Sequence, residues 1–127
     1  MATITHYKIK KMSPQFIVAD LSKAIEFYTK KLGFEVEFMH DDFYAGIIKD
    51  GHSIHLKAKP SMGERPNKRT NEDLDVVFSV DGIEDLYQEL SNRAVEFTQP
   101  LRNMPYGKEF YLADPDGYIV SFLEPKI

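Results

Sequence analysis

The chain has 127 residues, enough for one domain with a single core, and its 43% hydrophobic and 28% charged content is ordinary for a globular protein in water. The absence of cysteine excludes disulfides, thiolate metal sites and cysteine nucleophiles, and a formal net charge of −4 gives no general pull towards nucleic acid. No apolar run reaches membrane-spanning length and the first six residues lack a signal-peptide layout, so the expectation is a cytoplasmic protein with no membrane or nucleic-acid partner.

In chain order, residues 1–11 stay open, although Thr3, Thr5, Tyr7 and Ile9 alternate as an extra edge strand would. The basic run Lys8-Ile9-Lys10-Lys11 reads as a solvated edge. Phe16 and Val18 alternate with Gln15 and Ile17, which predicts a half-buried strand over 14–18. Asp20 is placed to cap a helix whose stripe is Leu21, Ala24, Ile25, Tyr28 and Leu32, and Gly33 ends it. Strands follow over 34–38, 43–49 and 53–58, with Asp50-Gly51 as the hairpin turn between the last two. Residues 59–73 carry Pro60, Gly63, Pro66 and Asn67 among charges and read as a connection between two halves. The order then repeats. A strand over 75–80 leads to Asp81 as a cap and to a helical stripe of Ile83, Leu86, Tyr87 and Leu90. Val95-Glu96-Phe97 opens a short strand, and residues 109–113 and 118–123 form a hairpin around Asp114-Pro115-Asp116-Gly117.

This repetition is visible in the residues themselves. Gln15-Phe16-Ile17-Val18-Ala19-Asp20-Leu21 is echoed by Val77-Phe78-Ser79-Val80-Asp81-Gly82-Ile83, and the Asp50-Gly51 turn by Asp116-Gly117. The predicted fold is therefore α+β: two βαβββ modules, about residues 12–58 and 74–125, whose curved mixed sheets enclose a cavity and carry helices on the outer face, within one domain spanning 1–127.

Strand alternation separates two faces. Phe16, Val18, Ile54, Leu56, Val76, Phe78, Val80, Val120 and Phe122 form the apolar set that must pack beneath the helices. Ser13, Gln15, Ser53, His55, Lys57, Asp75, Ser79 and Ser121 form the opposite, polar set. Polar groups in that number are costly to bury unpaired, so a wet groove that accepts a ligand is the simpler account of them. Phe38, Phe43, Tyr44, Tyr106 and Tyr111 are aromatic candidates for the groove edge, able to stack on a planar or cationic ligand.

Val18-Ala19-Asp20-Leu21, Ala24-Ile25-Glu26-Phe27-Tyr28 and Leu32-Gly33-Phe34 resemble the opening of vicinal oxygen chelate proteins. Residues 109–118 resemble their closing hairpin. That superfamily includes glyoxalases, bleomycin-resistance proteins, fosfomycin-resistance transferases and extradiol dioxygenases. The resemblance covers about residues 12–125 and implies paired βαβββ modules, commonly in a homodimer that shares its cavities. It also implies four metal-holding positions, which fall here on Ser13, His55, Asp75 and Ser121. Glu124 comes three residues too late and on the wrong strand face. Two serines among four donors make a poor divalent-metal site, so the expectation is no metal and no other cofactor.

Two functions follow from the resemblance. The first is a metal-free protein of the bleomycin-resistance kind that sequesters an antibiotic-like or aromatic small molecule in a dimer groove, with Ser13, Gln15, Phe38, Tyr44, His55, Lys57, Asp75, Tyr106, Tyr111 and Ser121 as contacts. The alternative is a glyoxalase-like lyase, isomerase or dioxygenase. It would use His55 and Asp75 for a metal or, if the two approach, His55 as a general base raised by the carboxylate.

Overall fold

The alternation and the helical stripes are realised as two βαβββ modules in a computed structural model that describes residues 6–59 and 73–126. The first module runs β1 (Gln15–Val18), α1 (Leu21–Glu26) continued by a π-helical turn (Phe27–Lys31), β2 (Glu35–His40), β3 (Tyr44–Lys49) and β4 (His52–Ala58). The second runs β5 (Val76–Ser79), α2 (Ile83–Asn92), β6 (Phe97–Met104), β7 (Gly107–Ala113) and β8 (Ile119–Pro125). Each forms a four-stranded sheet, ordered β1-β4-β3-β2 and β5-β8-β7-β6. β1 lies parallel to β4 and β5 parallel to β8, and all other pairs are antiparallel. A parallel pair needs a crossover, and in each module the helix begins it. Among the described residues no helix is long and apolar enough to cross a membrane.

The apolar set packs as expected. Phe16, Val18, Ile54, Leu56, Val120 and Phe122 are buried with Leu21, Ala24, Tyr28 and Leu32 of the first helix and Ile83 and Leu90 of the second. Val76, Phe78 and Val80 pack half-buried against them. Asp20 caps α1, accepting from the Lys23 amide at 3.1 Å.

Three local expectations differ. Asp81 does not cap α2. Gly82, at φ +73°, precedes the helix and offers no side chain, and the Ile83 amide donates instead to Glu124 Oε1 of β8 at 2.8 Å. β6 is a full strand rather than a short one, irregular in register between Phe97 and Gln99 and between Gln99 and Arg102, around Pro100 with its missing amide. Residues 6–11 form no strand, while Thr3, Thr5 and residues 60–72 of the connection lie outside the described residues.

The Asp114-Pro115-Asp116-Gly117-Tyr118 turn fastens the second module to the first. Tyr28 OH donates to Asp114 Oδ2 at 2.7 Å, and the amides of Asp116 and Tyr118 donate to Asp114 Oδ1, both at 2.9 Å. Asp116 Oδ1 accepts from the Ala19 amide at 2.9 Å. The Tyr118 hydroxyl accepts from the Ile17 amide at 2.7 Å and donates to the Ile17 carbonyl at 2.9 Å, with its ring stacked on Phe16 at 4.1 Å. Burial of Asp114 outweighs these donors and pushes its carboxyl up to about 6. Burial, reinforced by that neighbouring carboxylate, holds the Tyr28 hydroxyl well above its usual range, so it stays a neutral donor.

Candidate functional site

Across each sheet the face opposite the helices is built in rows. In the first module β1, β4, β3 and β2 align Gln15, His55, Gly46 and Phe38 in one row, and Ile17, Lys57, Tyr44 and His40 in the next. In the second module the rows are Val77, Ser121, Tyr111 and Gln99, then Ser79, Leu123, Glu109 and Arg102.

Four rings gather on the first face. Tyr44 OH lies 2.7 Å from His55 Nδ1, and the His55 ring meets Phe38 and Tyr44 edge-on at 5.1 and 5.6 Å. His40 stacks on Tyr44 with ring centroids 6.2 Å apart. Gly46 makes this arrangement possible, because a β-carbon there would stand 2.3 Å from the Phe38 ring. The missing side chain is therefore the space that Phe38 occupies. Phe38, Tyr44, His55 and Lys57 are half-buried and Gln15 is exposed, so this wall is within reach of a ligand.

The second face carries a tighter network. Glu109 is only 4% exposed, yet its carboxylate accepts from Arg102 Nε at 2.8 Å and Nη2 at 2.6 Å, from Tyr111 OH at 3.0 Å and from Tyr106 OH at 2.8 Å. The Arg102 guanidinium also lies 5.5 Å from the Tyr111 ring centroid. Burial alone would raise the Glu109 carboxyl. The hydrogen bonds from Arg102, Tyr106 and Tyr111 together outweigh it and hold the group below the ordinary carboxylate range. Arg102 and both tyrosines are thereby fixed around an ionised centre.

Three of the four positions implied as metal ligands have other partners, and the fourth is buried. Ser13 Oγ and Ser53 Oγ share a hydrogen bond at 3.0 Å, His55 Nδ1 is engaged by Tyr44, and Asp75 Oδ2 accepts from the Ile119 amide at 2.8 Å. Ser121 is 1% exposed. Among the described residues no three His, Asp or Glu side chains converge, and no hydrogen bond joins His55 to Asp75. Two neutral hydroxyls leave only His55 and Asp75 as strong donors, too few to fit a resident divalent ion. Nor do they form the His–carboxylate pair that a general base at His55 would use.

Tyr106 and Tyr111 are among the aromatic candidates that the sequence offers for the groove edge. They converge on Glu109, and Tyr111 is buried while Tyr106 is about half exposed. Four contributors escaped the sequence: Gly46, His40, Arg102 and Glu109. Alternation in β7 does mark Glu109, since it shares a face with Tyr111 and opposes Phe110 and Leu112, where a carboxylate needs a partner. A glycine inside a strand of apolar residues is likewise a sign of close approach.

Comparison with known proteins agrees with this architecture. The model of the glyoxalase/bleomycin resistance protein/dioxygenase superfamily matches residues 3–122. The chain is 27% identical over 126 residues to the bleomycin resistance proteins of Geobacillus stearothermophilus and Staphylococcus aureus, covering 87% of this chain and 93% of each relative. Among solved structures it superposes on an antibiotic binding protein, TnmS3, from Streptomyces sp. CB03234 with a TM-score of 0.73 and 21% identity, covering 99% of this chain and 100% of that one. It also superposes on the bleomycin-binding protein from Streptomyces verticillus, solved with copper(II)-bleomycin, with a TM-score of 0.70 and 22% identity, covering 95% and 100%. The chain belongs to the glyoxalase/bleomycin resistance protein/dioxygenase superfamily.

Proposed function

We propose that this member of the superfamily is a metal-free binding protein that sequesters an aromatic, antibiotic-like small molecule in a groove completed by a second copy of the chain. The observation that carries the reading is the ring cluster of Phe38, His40, Tyr44 and His55, built around one of the four positions that the resemblance implies for a metal. Three half-buried rings and the exposed His40 offer planar contact area to a planar ligand and little to a small aliphatic acid or aldehyde. The resemblance of the chain to bleomycin resistance proteins supports sequestration over turnover. A dimer is supported by exposed apolar side chains that a partner could cover, among them Val36, Met39, Phe43 and Val77, each nearly half exposed. In this reading Gln15, Lys57 and Tyr106 are polar contacts, whereas Ser13, Asp75 and Ser121 shape the floor. A His55→Ala variant tests the assignment. Loss of binding with no change in the chemical identity of the recovered ligand supports sequestration, while slowed conversion of the ligand with binding retained would assign His55 a catalytic role.

A further inference from the structure

The outer side of the seam between the modules holds a feature that the groove does not use. A cleft of about 590 Å³ opens where α1 and its π-helical turn meet the end of α2, lined by Lys23, Glu26, Phe27, Lys30, Lys31 and Arg93. This volume falls within the roughly 300–1,000 Å³ typical of small-molecule sites. Lys23, Phe27 and Lys30 all line the cleft, while Leu21, Ala24 and Tyr28 face the core. Four cations less one carboxylate give a formal +3 at the cleft, in a chain whose net charge is −4.

The cations divide into two groups. Lys31 and Arg93 hold the walls: the Lys31 ammonium donates to the Arg93 carbonyl, and Arg93 Nη1 donates to the Lys31 carbonyl at 2.9 Å. Arg93 Nη2 also pairs with Glu89 at 3.0 Å. Lys23 and Lys30 have neither an ion pair nor a side-chain hydrogen bond among the described residues. The C-terminal end of a helix offers roughly half an elementary negative charge, which offsets only a small part of +3.

We propose that this cleft is a second ligand site, independent of the groove, for a small soluble molecule that carries phosphate groups on an apolar scaffold. Lys23 and Lys30 supply the charge contacts and half-buried Phe27 supports the scaffold. Lysine ammonium groups act as point charges suited to phosphoryl oxygens, whereas the planar fork of Arg93 that would favour a carboxylate is already committed.

Calorimetric titration with inorganic pyrophosphate tests the charge site. Saturable binding should weaken as salt rises, and should fall about tenfold or more in the Lys23→Gln/Lys30→Gln variant, whose exposed positions leave the core intact. A Lys8→Gln/Lys10→Gln variant, with the same change in net charge, should bind as the wild type does. Any of three results overturns the proposal: no saturable binding of pyrophosphate, equal loss in the two variants, or binding to phosphatidic acid vesicles with none to pyrophosphate.

Discussion

Replacing Tyr28 with phenylalanine removes one oxygen from a fully buried ring and leaves its packing against Phe27 and Phe34 in place. What disappears is the donor at 2.7 Å from Asp114 Oδ2, while Oδ1 keeps the amides of Asp116 and Tyr118. A hydrogen bond to a charged group contributes about 1.5–3 kcal/mol, so Tyr28→Phe should cost about 2 kcal/mol when Asp114 is ionised. The loss should depend on pH. The Tyr28 bond favours the carboxylate, so without it the Asp114 carboxyl titrates still higher than about 6. Urea unfolding near pH 8 should therefore show the full deficit, and near pH 5, where the acid form dominates, less than about half of it. An equal deficit at the two pH values, or one below about 0.5 kcal/mol at the higher, would refute the latch between the modules as described.

Asp114→Asn should flatten part of the stability profile. Because the folded carboxyl is raised from 3.8 to about 6, its contribution is complete below about pH 4 and is lost as pH rises through 6, a difference of about 3 kcal/mol between wild type and variant across that window; denaturant midpoints measured at a series of pH values check it, and parallel profiles would contradict it. Gly46→Ala should drive the Phe38 ring off His55, costing about 1–3 kcal/mol and weakening binding of the groove ligand, as read by thermal denaturation and titration. Glu109→Leu should cost about 2–4 kcal/mol by leaving the Arg102 guanidinium without its carboxylate, and the Arg102→Leu/Glu109→Leu double variant should recover part of that loss in a double-mutant cycle.

Much of this architecture is legible in the chain because it rests on short-range periodicity. The alternation of Phe16 with Ile17 and of Val120 with Ser121 assigns both sheet faces, and the spacing of Leu21, Ala24 and Tyr28 assigns a helix to one of them. The missed features depend on partners distant in sequence. Glu124 caps α2 from 41 residues away, and Tyr28 finds Asp114 across 86, so neither pairing leaves a local pattern. Asp81 misled for the same reason: its identity suits a cap, but the left-handed turn at Gly82 hands that role to another strand. On the first sheet's open face, His55 and Tyr44 announce themselves as polar and aromatic positions, yet their pairing follows from the β3–β4 register, which places Tyr44 beside Lys57 and diagonally to His55. Arg102 lies beyond the short strand expected from Val95-Glu96-Phe97, in the part of β6 that continues past Pro100.

The central claim is that the groove retains a ligand unchanged and without a metal. Titration calorimetry with bleomycin and with planar aromatic antibiotics, in chelator and again with added zinc, tests it most directly when each mixture is afterwards analysed by mass spectrometry. The account predicts saturable binding of at least one of these compounds, equal in chelator and zinc, lost in His55→Ala, with the compound recovered at its original mass. Binding that appears only with zinc, or a compound progressively converted to product, would contradict it.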